Sequence, residues 1–468
     1  MYTNSYTDLP ERFFQRIQPE QFPAPELVVF NNDLANELGL NFANEDEAAQ
    51  ILSGQKLLPG SEPIAQAYAG CQFGHFVPQL GDGRAHLLGE VKGFDIQLKG
   101  SGKSKFSRGG DGRSPLGPVI REFVISEAMH ALGVPTTRAL GVITTGEDVL
   151  RHYGLEPGGI LARVADSHLR VGTFQFFHNL GDLEALEILT NFAIQRHYQE
   201  ISSADLSDRC VELVRAVAVK QGELVAKWYG VGFVHGVMNT DNCSIAGLTI
   251  DYGPCAFLDS FKVMKVFSSI DHQGRYAYGN QMGIAKWNVM RLADCLLPLI
   301  ADDPAVARSK VTEALDEVFS NFPTKVYLEF GRKLGLSEFH PGLDSLVASF
   351  LRYLEANSLD FTLSFYNLKN LYEGESDFFP MSPVLEAFLN QWKELYPDPA
   401  QMASLNPCVI PRNHQIENVI QHANDGQYES LYEIWEALKN PFDVSTKHLH
   451  LMDPPRSEEQ VYQTFCGT

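Results

Sequence analysis

Apolar and polar residues alternate over short segments in the first third of the chain, and glycines separate those segments. In the glycine-dense stretch 68–113, His86–Val91 and Phe94–Leu98 have the period-two alternation of strands, and the glycines between them favour turns. Ala139–Thr144 and Ile160–Val164 predict two further strands. This part of the chain is therefore predicted to be rich in β-structure.

Helical spacing of apolar residues follows the glycine-dense stretch. Val119–Leu132 places its apolar residues on one face, and Gly133 with Pro135 behind it ends that helix. Beyond about residue 175 the same spacing predicts three long helices: Leu183–His197, Cys210–Tyr229 and Lys286–Ile300. From about residue 300 the chain is predicted to be largely helical.

One polar segment interrupts the helices. Residues 243–253 read CSIAGLTIDYG, which predicts a hairpin with strands on either side of Ala246-Gly247. The predicted order of elements is that of protein kinases: a glycine-rich β unit, one long helix, and then a helical unit that holds a polar hairpin. The predicted fold class is therefore α+β, a bilobal protein-kinase-like fold.

Four units are predicted along this fold. They are an N-terminal extension (1–65), a β-rich N-lobe with nucleotide-binding loops (66–168), a helical C-lobe with the catalytic hairpin (169–300), and a C-terminal helical extension and tail (301–468).

Composition excludes several classes of protein. Hydrophobic residues make up 44% of the chain, so it is not disordered overall. No apolar run approaches the roughly 20 residues of a membrane-spanning helix. The first residues lack the basic start and apolar block of a secretory signal. We expect a cytoplasmic protein with no membrane partner.

The net charge of −21 argues against nucleic acid as a partner, because phosphate neutralisation needs a basic surface. Between Gly81 and Arg170, however, 12 Lys and Arg residues accompany 10 Asp and Glu residues, a local net charge of +2. Fluctuation alone is one explanation of that reversal. The other is that a basic region in an acidic protein binds a small polyphosphate.

The seven cysteines include no Cys-x-x-Cys pair, so neither a zinc site nor a disulfide framework is indicated. They are expected to be reduced and mostly buried. Cys466, near the end of the sequence, is expected on an accessible tail.

The candidate chemistry centres on residues 232–254, which supply Asp241, Asn242 and Asp251. Amide and carboxylate oxygens suit Mg²⁺ that bridges nucleotide phosphates, and Mn²⁺ accepts the same ligands. Asp251 begins a DYG sequence that resembles the DFG of kinases. The alternative is that these side chains only stabilise turns.

The position of the kinase catalytic base, five residues before the metal-binding Asn, holds Val237. The carboxylate nearest to it is that of Asp241. Either a different geometry supplies the base, or phosphoryl transfer has been lost. His235 is interpreted as an anchor of the loop rather than as a catalytic group.

Lys99 ends an apolar strand, and Glu122 follows it on the predicted helix. Kinases place their phosphate-binding lysine and its carboxylate partner in this way. An ordinary surface ion pair is the alternative, and Glu127 is a competing partner for the lysine.

Two copies of the sequence Gly-Asp-Gly-Arg lie about 30 residues apart, at 81–84 and 110–113. Glycines allow backbone N–H groups to approach phosphate, and arginine side chains match its oxygens. Arg163 and Arg170 lie where the two lobes are predicted to join and could reach the same phosphates. Turns and surface charge are the simpler interpretations.

Together these segments resemble the selenoprotein O family. The matching text is YAGCQFGHFVPQLGDGR, LKGSGKSKFSRGGDGR, IREFVISEAM, ALGVPTTRAL, RVADSHLRVGTF, GFVHGVMNTDN, LTIDYGP and DHQGRYAYGNQ. The resemblance implies a pseudokinase that binds ATP in a flipped orientation. It implies transfer of AMP to Ser, Thr or Tyr hydroxyls of proteins, with ATP as substrate and Mg²⁺, or alternatively Mn²⁺, as the metal.

The resemblance also assigns roles to individual residues. It implies ATP binding by Gly81, Gly83, Arg84, Lys99, Asp111, Gly112, Arg163 and Arg170. It implies metal binding by Asn242 and Asp251, proton acceptance by Asp241, and pairing of the lysine with Glu122. If the α-phosphate faces the acceptor hydroxyl, the base need not occupy position 237.

Some positions depart from the family pattern. Cys71 replaces a His, Cys243 replaces a Met, Gly117-Pro118 replaces a more basic stretch, and residues 267–269 replace a more polar run. None of these is an implied nucleotide or metal residue. Cys466 corresponds to the family's C-terminal redox residue, which suggests redox control.

Two other functions fit the same residues. A kinase would use all of them except the base. A catalytically silent nucleotide-binding scaffold would need no metal ligands, so the presence of Asp241, Asn242 and Asp251 argues against it.

Overall fold

The computed structural model describes residues 2–151, 154–443 and 445–465. It contains helices and a main antiparallel sheet, which confirms the mixed α+β class. The strands are β1 (Phe14–Arg16), β2 (Glu26–Phe30), β3 (Ile64–Gln66), β4 (Gly70–Gln72), β5 (His75–Val77), β6 (Ala85–Val91), β7 (Phe94–Lys99), β8 (Arg138–Arg151), β9 (Gly154–Ala165), β10 (Phe233–Val234) and β11 (Ala256–Phe257).

Most helices lie in the second half of the chain. They are α1 (Asn32–Leu38), α2 (Glu45–Leu52), α3 (Leu116–Ala131), α4 (Val171–Asn179), α5 (Leu183–His197), α6 (Leu206–Val231), α7 (Gln281–Ile300), α8 (Pro304–Ser320), α9 (Phe322–Lys333), α10 (Leu343–Ala356), α11 (Phe361–Tyr366), α12 (Leu368–Glu373), α13 (Pro383–Lys393), α14 (Pro399–Leu405), α15 (Asn413–Asn424) and α16 (Glu429–Leu438). No helix among the described residues has the length and apolar character needed to cross a membrane.

The main sheet has seven antiparallel strands in the order β1-β3-β6-β7-β9-β8-β2. It includes the four strands predicted from the sequence, and β8 and β9 extend well beyond their predicted ends. In the β7–β9 pair, Gln97 lies opposite Arg163 and Lys99 opposite Leu161. Because side chains alternate between faces, Lys99 and Arg163 project from the same face of neighbouring strands.

The first 66 residues contribute three strands to this same sheet, since β2 pairs with β8 at one edge while β1 and β3 form the other. The limits of the N-terminal extension and of the other units stay a prediction.

Helix α3 begins at Leu116, three residues before its predicted start, and it is buried on nearly all sides. One side packs against β8 and β9, and helices α15 and α16 cover another. The single apolar face predicted from the spacing is therefore incomplete. Two polar residues that the spacing places outside are also buried: Arg121 pairs with Glu417 on α15, and Glu122 pairs with Lys99 on the side of the sheet.

The predicted hairpin at 243–253 is wrong. Residues 244–247 do form a turn, in which the Gly247 N–H donates to the Ser244 carbonyl, but the segments on either side pair with other parts of the chain. Ser244 forms a bridge with Arg170, and Thr249 forms one with Thr136. The backbone hydrogen-bonding groups are satisfied by those partners, so the segment is a loop. The short strands β10 and β11 pair with each other outside it.

Candidate active site

A cavity of about 640 Å³ lies between the face of the sheet, helix α3 and the loop of residues 237–253. Every site residue predicted from the sequence lines it: Gly81, Gly83, Arg84, Lys99, Asp111, Gly112, Glu122, Arg163, Arg170, Asp241, Asn242 and Asp251. Basic side chains outnumber acidic ones in this lining, which suits an anionic ligand. The fold therefore brings together groups that are spread over 170 residues of sequence.

The Asp251 carboxylate lies at the centre of the charged cluster. Its Oδ1 atom lies 2.8 Å from Lys99 Nζ and 3.0 Å from Arg163 Nη1, and its Oδ2 atom lies 2.8 Å from Arg170 Nη1. Burial alone would raise the pKa of Asp251, but the three cations lower that pKa well below its ordinary value. The Asp251 side chain is therefore ionised at neutral pH.

The backbone of Asp251 is in the left-handed region, with φ at +65°. A non-glycine residue adopts this conformation at a cost of order 1 kcal/mol, and functional sites are where it tends to be kept.

Lys99 is paired with Glu122 rather than with its competitor. Lys99 Nζ lies 2.6 Å from Glu122 Oε2, and Arg163 Nη1 lies 3.4 Å from Glu122 Oε1. The Glu127 side chain instead accepts hydrogen bonds from Arg138 and from Asn31. Glu122 thus holds Lys99 in the cavity, and Glu127 joins α3 to β8.

Asp241 has a carboxylate oxygen with no partner. Its Oδ2 accepts a hydrogen bond from Gln72 Nε2 at 3.2 Å, while the buried Oδ1 has no hydrogen-bond partner among the described residues. Burial raises the pKa of Asp241 to about 6. Such a group is mainly ionised at neutral pH and can accept a proton from a nearby hydroxyl.

Two glycines give Asp241 its space. A Cβ atom at Gly70 would overlap the Asp241 carboxylate, and one at Gly172 would overlap the carbonyl of Ala69 close to Asp241 Cα. The neighbouring side chains of the loop bind β4 and the turn after it: Thr240 Oγ1 accepts the Cys71 N–H, and Asn239 Oδ1 accepts the Phe73 N–H. Position 241 is therefore fixed against β4.

Asn242 is oriented by Val237, the residue at the position of the catalytic base in kinases. Its Nδ2 donates to the carbonyl of Val237 at 2.9 Å, which leaves the amide oxygen available as an acceptor. An oriented amide oxygen and the ionised carboxylate of Asp251 are donors that suit a divalent cation. No cluster of three or more His, Cys, Asp or Glu side chains suited to a metal occurs in the described ranges, so a nucleotide would have to supply further oxygens.

The two Gly-Asp-Gly-Arg copies fold against the segment between them. Gly81 adopts φ of +66° beside the Phe106 ring, and Gly112 adopts φ of +70° against the backbone of Gly102 and Lys103. Added side chains would overlap those atoms. Both glycine loops therefore follow closely packed backbone paths at the cavity wall.

The two arginines of these copies have different surroundings. Both line the cavity. Arg113 pairs with Glu20 and with Glu147 and lies over the Phe22 ring, with a Cζ-to-centroid distance of 4.7 Å. It joins the loop to the N-terminal segment.

Four further residues of the cavity wall were missed. Asp82 is buried, and burial raises its pKa to about 6. Tyr68 lies under Arg170, with Cζ 4.6 Å from the ring centroid. Gln72 binds Asp241, and Arg151 Nη1 pairs with Asp111 at 2.6 Å. Asp82 was visible inside its motif, whereas Tyr68, Gln72 and Arg151 carry no local signal and depend on the fold.

Other predictions concern loop anchors and cysteines. His235 is buried and bonds the carbonyl of Ile250 at 3.0 Å, in agreement with an anchoring role. Cys71 and Cys243 are buried. Cys466 lies outside the described residues, so redox control stays a prediction.

Comparison with known proteins gives consistent matches. The family model described as protein adenylyltransferase SelO matches residues 1–439. A protein nucleotidyltransferase YdiU from Agrobacterium fabrum is 47% identical over 487 residues, covering 100% of this chain and 99% of its own. Proteins of the same name from Nitrobacter winogradskyi and Maridesulfovibrio salexigens are 47% and 43% identical, covering all of this chain and 96% and 98% of theirs.

Proposed function

The chain belongs to the family of the protein adenylyltransferase SelO and is a protein nucleotidyltransferase, and from that premise we propose that it transfers AMP from ATP to Ser, Thr or Tyr hydroxyls of other proteins. Pyrophosphate is the second product. The observation that carries the proposal is that Asp241 Oδ1 has no hydrogen-bond partner among the described residues, in a cavity that also holds the cations Lys99, Arg163 and Arg170.

A kinase-like bilobal arrangement is the proposed architecture. Its support is the trio formed by Lys99 on a strand, Glu122 on helix α3 and Asp251 in the loop after β10. In kinases the same three types of residue position the phosphates.

The nucleotide is proposed to bind with its phosphates against the cations. Lys99, Arg163 and Arg170 are paired with Asp251 and Glu122. Phosphate oxygens of the nucleotide would replace some of these carboxylate oxygens as partners of the cations. Gly81, Gly83 and Gly112 would allow the loop backbone to approach the phosphates closely. Arg84 and Asp111 line the same wall of the cavity.

Asn242 and Asp251 are the proposed ligands of Mg²⁺, with Mn²⁺ as an alternative that takes the same oxygens. The metal would neutralise charge on the phosphates of the bound nucleotide. The orientation of Asn242 by Val237 and the low pKa of Asp251 support this assignment.

The acceptor hydroxyl is proposed to lie beside Asp241. Its oxygen attacks the α-phosphorus, a new O–P bond forms, and the bond from the α-phosphorus to the oxygen bridging the β-phosphate breaks. The hydroxyl proton passes to Asp241, and the electron pair of the broken bond leaves with pyrophosphate. Lys99 and the two arginines stabilise the charge that develops on the leaving group.

Val237 favours AMP transfer over phosphoryl transfer. It lines the cavity at the place of the kinase base, and its aliphatic side chain accepts no proton. Asp241, next to the proposed metal ligand Asn242, is therefore the proposed base.

The small product tests the proposal. AMP transfer to a protein acceptor releases pyrophosphate, and phosphoryl transfer releases ADP. We expect pyrophosphate in equal amount to the modified acceptor, and none with Asp251→Ala. ADP in place of pyrophosphate would overturn the proposal, and neither product despite nucleotide binding would indicate a silent scaffold.

A further inference from the structure

The C-terminal tail docks beside the active-site cavity through Thr464. Thr464 forms a parallel bridge with Ser268, and its N–H donates to the Phe267 carbonyl at 2.8 Å. Its own carbonyl accepts the Ser269 N–H at 3.1 Å. The Thr464 side chain is buried, and its hydroxyl donates to the carbonyl of Pro254 at 2.6 Å. Backbone and side-chain hydrogen bonds together therefore fix the tail at this position.

The docking point of the tail lies on the side of the proposed metal ligands. Pro254 is three residues after Asp251, and its carbonyl oxygen would lie 2.6 Å from a Cβ atom added at Gly236. Val237 follows Gly236, and its carbonyl orients Asn242. The tail is thus packed against the loop of residues 237–253, which forms one wall of the cavity.

The residue after Thr464 reaches the cavity itself. Phe465 lines it, and so does Ile270, which follows the segment that pairs with the tail. Among the apolar side chains of the cavity lining in the described ranges, these two are the exposed ones, at 53% for Phe465 and 58% for Ile270. Ile270 and Phe465 are called the mouth pair, because exposed lining residues lie where the cavity opens to solvent.

The nucleotide has a different wall of the cavity. The cations Lys99, Arg163 and Arg170 have buried or nearly buried side chains, so phosphates bound to them lie deep and the nucleoside extends outward. Asp111, which is among the proposed ATP ligands, is exposed and lies in the loop between β7 and α3. That polar wall suits the ribose and the base, and it leaves the mouth pair for the second substrate.

An acceptor protein has to pass the mouth to reach the proposed base. Asp241 is buried, so the acceptor hydroxyl must enter the cavity while the residues next to it in the acceptor cross the opening. An apolar neighbour would cover Ile270 and Phe465 and remove apolar surface of both proteins from water, which is favourable in proportion to the area buried. A polar neighbour would lose its hydration there without gaining a hydrogen bond.

We propose that Ile270 and Phe465 contact an apolar side chain of the protein substrate close to the acceptor hydroxyl. The inference rests on the proposed function and names a class of acceptor site: hydroxyl residues with an aliphatic neighbour at one fixed spacing. The two residues determine specificity, and Thr464 acts as a positioning residue that holds Phe465 at the mouth.

The test uses fluorescent peptides with one acceptor hydroxyl and a leucine placed at successive positions on either side, each matched by a peptide with asparagine, a polar residue of similar size. With the full-length protein and ATP labelled at the α-phosphate, we expect one leucine position to lower the peptide KM about tenfold relative to its asparagine match. Phe465→Ala should reduce that preference to about threefold or less and leave the KM for ATP unchanged.

Matched variants separate the contact from general effects of the tail. Phe465→Leu, which keeps an apolar side chain, should keep most of the preference. Thr464→Val keeps the shape of the anchor but removes its bond to Pro254, so it should weaken the preference, whereas Thr464→Ser should keep it. Tyr462→Ala should leave it whole, because Tyr462 is an exposed aromatic residue of the same tail that does not line the cavity.

Equal KM values for leucine and asparagine peptides with wild type, or an unchanged preference in Phe465→Ala, would overturn the inference. A higher KM for ATP in Phe465→Ala would show that the mouth pair contacts the nucleotide instead, and faster transfer to every peptide would show that the tail blocks the cavity. If wild type transfers no label at all, the proposed function fails. Fluorescence anisotropy of the same peptides then decides the inference, which predicts tighter binding of the leucine peptide by wild type than by Phe465→Ala and is overturned by equal binding.

Discussion

The Lys99 ammonium lies 2.8 Å from the Asp251 carboxylate, although 152 residues separate the two in sequence. One is the proposed phosphate ligand and the other the proposed metal ligand. The two side chains neutralise each other, so binding of a metal and a phosphate would replace the Lys99–Asp251 ion pair by a Lys99–phosphate pair and an Asp251–metal contact. The charge cluster is therefore already assembled in the described structure.

The role of Glu122 can be separated from that of Glu127 by matched substitutions. Glu122→Gln keeps the shape of the side chain but removes the charge that holds Lys99, so we expect kcat/KM for ATP to fall about tenfold or more. Glu127→Gln should reduce stability through Arg138 but leave the KM for ATP near wild type. Steady-state kinetics and thermal melting of both variants provide the comparison, and equal effects on ATP use would contradict the assignment.

The pH dependence of transfer should report Asp241. The base must be ionised, so kcat/KM should fall as the pH drops through about 6 and reach a plateau above it. Asp241→Asn should lower transfer by about 10²–10⁴-fold at neutral pH and abolish that acid limb. An acid limb that persists in residual Asp241→Asn activity would assign the titration to another group.

The same substitution should stabilise the protein. Because the folded-state pKa of Asp241 is raised, ionisation of this group opposes folding. The cost grows as the pH rises from the unfolded-state pKa to about 6 and is constant above that. Asp241→Asn removes that charge, so we expect stability at pH 7 to rise by up to about 3 kcal/mol. Denaturant unfolding of wild type and Asp241→Asn at acidic and neutral pH measures this difference in the free energy of unfolding. A variant less stable than wild type at both pH values would contradict the raised pKa.

Gly70 should matter for catalysis through the position of Asp241. In Gly70→Ala the added methyl group overlaps the Asp241 carboxylate, so the base is displaced and kcat should fall by about 100-fold. The matched control is Gly283→Ala on α7, where nothing lies within 4 Å and the backbone is helical. That variant should have normal kcat and stability within about 1 kcal/mol of wild type. Normal turnover by Gly70→Ala would show that Asp241 does not need this position.

The two Gly-Asp-Gly-Arg copies should respond differently to loss of their arginines. Both arginines line the cavity, but Arg113 is already paired with two carboxylates, so only Arg84→Ala should clearly raise the KM for ATP. Arg113→Ala should mainly reduce stability, by about 1–2 kcal/mol, because its partners Glu20, Glu147 and Phe22 belong to the surrounding fold. Comparison of KM and melting temperature for the two variants tests this, and a reversed result would exchange their roles.

The sequence predicted the strands around Lys99 and the helix of Glu122 because both have strong local periodicity and glycine punctuation. It also placed Asp241, Asn242 and Asp251 together, since they are close in the chain. The hairpin prediction at 243–253 was wrong because Ser244 and Thr249 form bridges with Arg170 and Thr136, whose segments lie far away in sequence. Long-range packing likewise decided the burial of α3 and the partner of Asp111.

Two labelled forms of ATP test the central claim most directly. The full-length protein is incubated with an acceptor protein and ATP labelled at either the α- or the γ-phosphate, with Asp251→Ala as the control for the proposed metal ligand. AMP transfer predicts acid-stable label on the acceptor from α-labelled ATP only, and none from the Asp251→Ala variant. Label from γ-labelled ATP alone would contradict the account and identify a kinase.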